Sequence, residues 1–108
     1  MRGKKLSKDS RKWDAILIAA RYGADGRLSL TQGYLRRGEV WGDKQLLDRE
    51  ALIEALRQGR RIAVGAPTDI PGEFSIEAPV HLKQGSGGEI LVVNGAAASR
   101  DALKLPPF

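Results

Sequence analysis

With 108 residues, 42% hydrophobic and 29% charged, the chain is long enough for one hydrophobic core and too short for two, and its balance is that of a folded globular domain. It contains no cysteine and a single histidine, which excludes disulfides, thiol catalysis, iron–sulfur ligation and zinc sites built on thiolates. The longest unbroken apolar run, Ala15–Ala20, is six residues, against the roughly 20 that span a bilayer, so no transmembrane helix is expected.

The net charge of +5 is concentrated at one end. In residues 1–12, Arg2, Lys4, Lys5, Lys8, Arg11 and Lys12 stand against the lone acid Asp9, whereas residues 13–108 carry 12 basic and 12 acidic side chains and are neutral. Residues 1–12 also lack apolar periodicity, so they are expected to form a disordered basic arm ahead of a single globular domain at 13–108. The apolar run after the arm opens with Trp13-Asp14 and is closed by Arg21, which reads as the first element of a fold rather than a secretory signal. The expected location is therefore cytoplasmic.

Trp13–Tyr22 reads as a strand because Asp25-Gly26 follows it as a hairpin signal and Leu28–Thr31 then alternates with period two. Gly33–Asp43, with glycines at 33, 38 and 42, reads as irregular: a shorter strand pair or a wide loop. The clearest element is a helix over 48–58. Asp48 suits the N-cap, Glu50 the first turn, and Ala51, Leu52, Ala55 and Leu56 form an apolar stripe that Gly59 stops. Arg61–Gly65 reads as a strand, Ile70-Pro71-Gly72-Glu73 as a type II turn, and Phe74–Glu77 as a strand continuing past Pro79 through a bulge or along an edge. Gln84–Gly88 is a glycine-rich turn, Glu89–Asn94 a buried strand, and Ala97–Lys104 a candidate short helix before Pro106-Pro107. The expected fold class is α+β: an antiparallel, partly open small β-barrel or curled sheet with one main helix and a possible short C-terminal one.

Most chemistry-bearing patterns favour ordinary structural roles. Gly85-Ser86-Gly87-Gly88 is followed by a strand rather than by the helix that a phosphate-binding loop requires, so it is a hairpin turn. His81, the only imidazole, lies in a strand-like run with no nucleophile-elbow serine, and reads as solvent-facing or hydrogen-bonded. Glu73 and Glu77 share a face only on an unbroken strand, and no D-x-D-x-D-G spacing occurs. No enzyme activity, cofactor or metal is expected.

The arginines and aromatics are more informative. Nine of the twelve basic residues beyond the arm are Arg. Arg36-Arg37 lies near Tyr34 and Trp41, Arg60-Arg61 follows the helix, and Arg11-Lys12-Trp13 joins the arm to the body. Single-stranded nucleic acid is held by cations along its phosphates and by flat rings under its bases, and Arg supplies both a bidentate clamp and a stacking plane. The candidate site comprises Lys4, Lys5, Lys8, Arg11, Lys12, Trp13, Tyr34, Arg36, Arg37, Trp41, Arg60 and Arg61. The expected function is a small non-enzymatic nucleic-acid-binding accessory protein, with RNA or single strands favoured. The alternative is a protein–protein interaction or assembly module using an apolar patch, an edge strand or Leu105–Phe108. The aromatics have a competing role in the core or at its rim, and Leu105–Phe108 a competing role in packing on the barrel.

Overall fold

The computed structural model describes residues 12–38, 40–70, 73–85, 88–93 and 101–108. Among these residues the fold is a mixed sheet curled into a half-barrel with one helix. The strands are β1 (Ala15–Tyr22), β2 (Leu28–Arg37), β3 (Val40–Trp41), β4 (Gln45–Asp48), β5 (Ile62–Pro67), β6 (Phe74–Gly85) and β7 (Gly88–Val93); helix α1 is Arg49–Arg57. Their order across the sheet is β3-β2-β1-β5-β6-β7, with β4 pairing β2 beside β3. The α+β class and the partly open barrel with one main helix are as expected. The one parallel pair is β1–β5, because α1 crosses over between them, and every other strand pair is antiparallel.

The β1–β2 hairpin turns on Asp25-Gly26. Gly26 has φ 82°, its N–H donates to the Gly23 carbonyl at 3.0 Å, and the Asp25 carboxylate accepts the Arg27 N–H at 3.0 Å. Beyond Thr31, β2 continues to Arg37 through the segment whose glycines suggested irregular chain. Gly33 explains the difference: a Cβ there would sit 2.5 Å from the Ile16 carbonyl oxygen, so the glycine permits close approach of two strands instead of ending one. β4 is fastened to β2 by the buried Thr31 hydroxyl, which donates to the Leu47 carbonyl at 2.8 Å.

Helix α1 carries the expected caps. The Asp48 carboxylate accepts the Ala51 N–H at 2.9 Å. At the other end Gly59 (φ 86°) donates to Leu56 and Arg60 donates to Ala55, the paired bonds of a Schellman stop. The helix buries Leu52 and Ile53 against a face built from Ala15, Leu17, Ile62, Val64, Val80 and Leu91. β1 is buried on both sides, since Ile16 between Ala15 and Leu17 is also inaccessible.

β6 passes straight through Pro79. Its first half pairs with β5 and its second half, from Val80, pairs with β7, so the proline sits where the strand changes partners. A bulge leaves Glu77 without a partner between Val64–Ala78 and Gly65–Ile76. That extra residue breaks the Glu73–Glu77 face and reverses the alternation, so Phe74 projects from the side of the sheet opposite α1. The β6–β7 hairpin closes at Gly85–Gly88 as expected; residues 86–87, and Pro71-Gly72 of the earlier turn, lie outside the described residues.

The C-terminal helix is not formed where the chain is described. Of Ala97–Lys104, residues 97–100 lie outside the described residues; Asp101–Lys104 are not helical, Ala102 bridges Val92 in parallel, and Lys104 has a left-handed φ of 57°. The reason is Asp101, whose carboxylate is committed to three other parts of the fold. The segment then runs back to β1, where the Pro106 carbonyl accepts the Ala20 N–H at 2.9 Å and the Arg21 guanidinium lies 4.5 Å from the centre of the Phe108 ring. Leu105–Phe108 therefore packs on its own barrel.

Asp101 is 5% exposed. It accepts the N–H of Leu28 at the start of β2 (2.8 Å) and of Leu91 in β7 (2.9 Å), and the Arg49 guanidinium at the start of α1 grips both its oxygens (2.8 and 3.3 Å). Burial pushes its pKa up, but the Arg49 hydrogen bond and the two backbone donors outweigh that and hold it below the ordinary carboxylate value. A carboxyl whose folded pKa is lowered contributes stability above its unfolded pKa and loses it as pH falls through the folded one. Thermal melts in acid should fall steeply for the wild type below the usual carboxylate range, and less steeply for Asp101→Asn. At neutral pH Asp101→Ala should lose about 3–5 kcal/mol by denaturant titration, since it strands a partly buried guanidinium and two backbone donors. Gly33→Ala should cost more than about 1 kcal/mol in the same titration, through displacement of the Ile16 carbonyl.

Candidate functional site

Three segments of the chain meet at one end of the barrel: the start of β1 at Trp13-Asp14, the end of β2 at Arg36-Arg37, and the start of β5 at Arg60-Arg61. Register brings them together, because β1 pairs with β2 at Ala15–Leu35 and with β5 at Ala15–Ile62. Asp14 sits between the two arginine pairs. One carboxylate oxygen accepts the Arg61 N–H at 2.8 Å, the other accepts the Arg36 guanidinium at 3.3 Å, and the Asp14 N–H donates to the Arg61 carbonyl at 2.7 Å.

The arginines consequently divide into two kinds. Arg36 serves the fold, with Nε on the Trp13 carbonyl (2.8 Å), Nη1 on the Gly38 carbonyl (2.6 Å) and Nη2 on Asp14. Arg37, Arg60 and Arg61 are exposed and form no ion pair with a described residue. Arg60 and Arg61 leave the C-terminal end of α1, where the helix dipole favours cations. Lys12 is exposed and directly precedes Trp13, which is half-buried. Lys4, Lys5, Lys8 and Arg11 lie outside the described residues.

Two adjoining grooves cross this end and share Arg60 and Ile62. The first, about 320 Å³, lies between α1 and the β1–β2 ladder; Leu35, Leu52 and Ile62 line it, and Arg36, Arg37 and Arg60 stand on its polar side. The second, about 460 Å³, lies between the end of α1 and the middle of β6, with Trp13, Arg60, Arg61 and His81 around an aliphatic base that includes Leu56 and Leu82. His81 is exposed, as its place in a strand implied.

Tyr34 and Trp41 are not brought to these grooves. Tyr34 pairs with Ile16 and Trp41 with Arg36, which places both rings on the side of the sheet away from α1. There they pack against Phe74, with ring centres 4.9 and 5.2 Å apart. The phase change at Glu77 puts Phe74 on the same side. The Trp41 indole Nε1 is buried without a hydrogen-bond partner among the described residues.

Two contributors carry no local signal in the sequence. Asp14 counted only as an acid ahead of an apolar run, although its position between basic pairs makes it their organiser. His81 gave no sign of its groove, because β6 meets α1 only through the tertiary fold. Among the described residues no group of three or more His, Asp or Glu side chains converges as a metal site, and no helix is long and apolar enough to cross a membrane.

Compared with protein-family models, with curated proteins and with solved structures, the chain matches none. The site therefore rests on its own geometry. The two kinds of arginine should separate in a stability measurement. Arg36→Ala should lower unfolding free energy by about 1–3 kcal/mol, because it leaves the half-buried Asp14 and two carbonyls short of a donor. Arg37→Ala and Arg61→Ala should stay within about 0.5 kcal/mol of wild type in denaturant titrations.

Proposed function

We propose that the chain is a small, non-enzymatic nucleic-acid-binding accessory protein that grips the phosphates of RNA or another single strand at the end of its barrel. The observation that carries this reading is the convergence of Arg37, Arg60 and Arg61, from segments far apart in sequence, on two adjoining grooves that share Arg60, with Trp13 lining the second. A neutral body has little reason to gather exposed guanidinium groups, without an ion-pair partner among the described residues, at one end unless they meet an anion. Arginine suits phosphate through its planar, always-charged fork. The basic residues of 1–12 directly precede Trp13 in the chain, and their charge would add phosphate contacts to those of the body. Arg36 supports the surface from beneath and is not counted among the phosphate ligands; Tyr34 and Trp41 stabilise the opposite side.

A second reading, a protein-interaction module, is favoured by a different observation. Val40 in β3 and Leu46 in β4 are 56% and 55% exposed along the outer edge of β2, where an added strand could pair.

Fluorescence anisotropy of a labelled single-stranded RNA separates the two. The triple variant Arg37→Ala/Arg60→Ala/Arg61→Ala should bind at least about 10-fold more weakly at low salt, and the slope of log affinity against log salt should shrink by about 2 in magnitude. Unchanged affinity in that variant would remove the body from the interaction. Salt-insensitive self-association or partner capture through the Val40–Leu46 edge would favour the second reading.

A further inference from the structure

We infer that the groove between the end of α1 and the middle of β6 is a subsite for one unpaired nucleotide of the bound strand, with its base against Trp13 and its phosphate held by Arg61 and His81. This rests on the nucleic-acid reading above and specifies which part of that surface accepts a base.

The groove is about 460 Å³, within the range of about 300–1,000 Å³ typical of small-ligand sites and large enough for a mononucleotide. Its chemistry divides as a nucleotide's does. Ile62 and Val80 are buried at its base and Leu56, Pro79 and Leu82 are half-buried, an aliphatic surface suited to the flat face of a base. Polar groups stand at the edge: Arg60, Arg61 and His81, all exposed. That base of the groove offers no side-chain donor or acceptor to a base edge, so the subsite would read stacking and charge and would tolerate any sequence. A base paired in a duplex has no free face to present to it. The requirement for an unpaired nucleotide follows.

Trp13 is held for this role from behind. Its carbonyl accepts the Arg36 Nε, and the next residue, Asp14, is tied to the Arg61 backbone in both directions. The indole is therefore attached to a fixed stretch of chain, and little ordering remains to oppose binding. The neighbouring 320 Å³ groove lacks an aromatic side chain, and its Arg36 is already committed to the Trp13 and Gly38 carbonyls and to Asp14. It offers a phosphate contact through Arg37 but no stacking surface.

The test uses the full-length chain with a short single-stranded RNA and the corresponding RNA duplex. Trp13→Leu should weaken single-strand binding about 10-fold while leaving the salt slope unchanged, because the lost contact is stacking rather than charge. Duplex binding should change by less than about 2-fold, and Trp13→Phe should keep most of the single-strand affinity. In parallel, the two indole N–H resonances of the wild type, assigned with Trp13→Phe, are followed during RNA addition. The Trp13 resonance should shift and the Trp41 resonance should stay. That measurement decides the matter even if Trp13→Leu folds poorly. A wild-type chain that binds RNA without moving the Trp13 resonance, or a folded Trp13→Leu chain that matches wild type or loses both RNAs equally, overturns the subsite and leaves the arginine surface standing. A wild-type chain that binds neither RNA overturns both.

Discussion

The fold depends on a single buried carboxylate. Asp101 reaches β2, β7 and the first residue of α1 at once, so three elements that share no continuous ladder are held in one relative position. A carboxylate in a low-dielectric interior is costly unless its lone pairs are met, and here four donors meet them. The neighbouring contacts follow from that anchor. Arg49 also donates to the Glu89 carbonyl, Arg57 pairs with the Glu89 side chain, and the Tyr22 hydroxyl accepts the Leu103 N–H at 3.0 Å. The C-terminal segment is thereby positioned between β7 and β1, where it fills the side of the barrel that the strands leave open.

Asp14 plays the corresponding part at the opposite end of β1, with different consequences. It is only half-buried, and it serves one guanidinium and one backbone donor. By taking Arg36 out of circulation it orders the backbone under Trp13 and brings the β2 and β5 arginines to a common edge. The molecule thus has one acid–arginine pair that secures its layers and another that shapes its surface. The first has its carboxylate fully buried and gains most from low dielectric; the second stands partly in water, so its value lies in geometry more than in energy.

Local chemistry was legible in the sequence, and long-range geometry was not. Asp25-Gly26, Asp48 and Gly59 announced their turn and caps because each acts within a few residues of itself. The alternation of Phe74–Glu77 and the apolar block at 90–93 marked strands for the same reason. Gly33 misled, since a glycine that permits two backbones to approach looks the same in sequence as one that breaks a strand. Asp101 was absorbed into a supposed helix, because nothing near it in sequence reveals three partners at residues 28, 49 and 91. The arginine pairs were visible, but their union was not. Tyr34 and Trp41 looked like companions of Arg36-Arg37 by proximity, whereas strand alternation turns them away from Arg37 to the far side of the sheet, where Phe74 meets them.

The single parallel pairing has a kinetic meaning. The β1–β2 and β6–β7 hairpins close over short turns, and α1 carries its own caps, so these pieces can form early and locally. Ala15 cannot meet Ile62 until β2, β3, β4 and α1 between them have taken up enough order to bring the ends together. Joining β1 to β5 is therefore the entropically expensive step of assembly, and it is also the step that sets Arg60-Arg61 beside Trp13. The basic surface is absent from either half of the chain taken separately; it comes into being only when the halves dock.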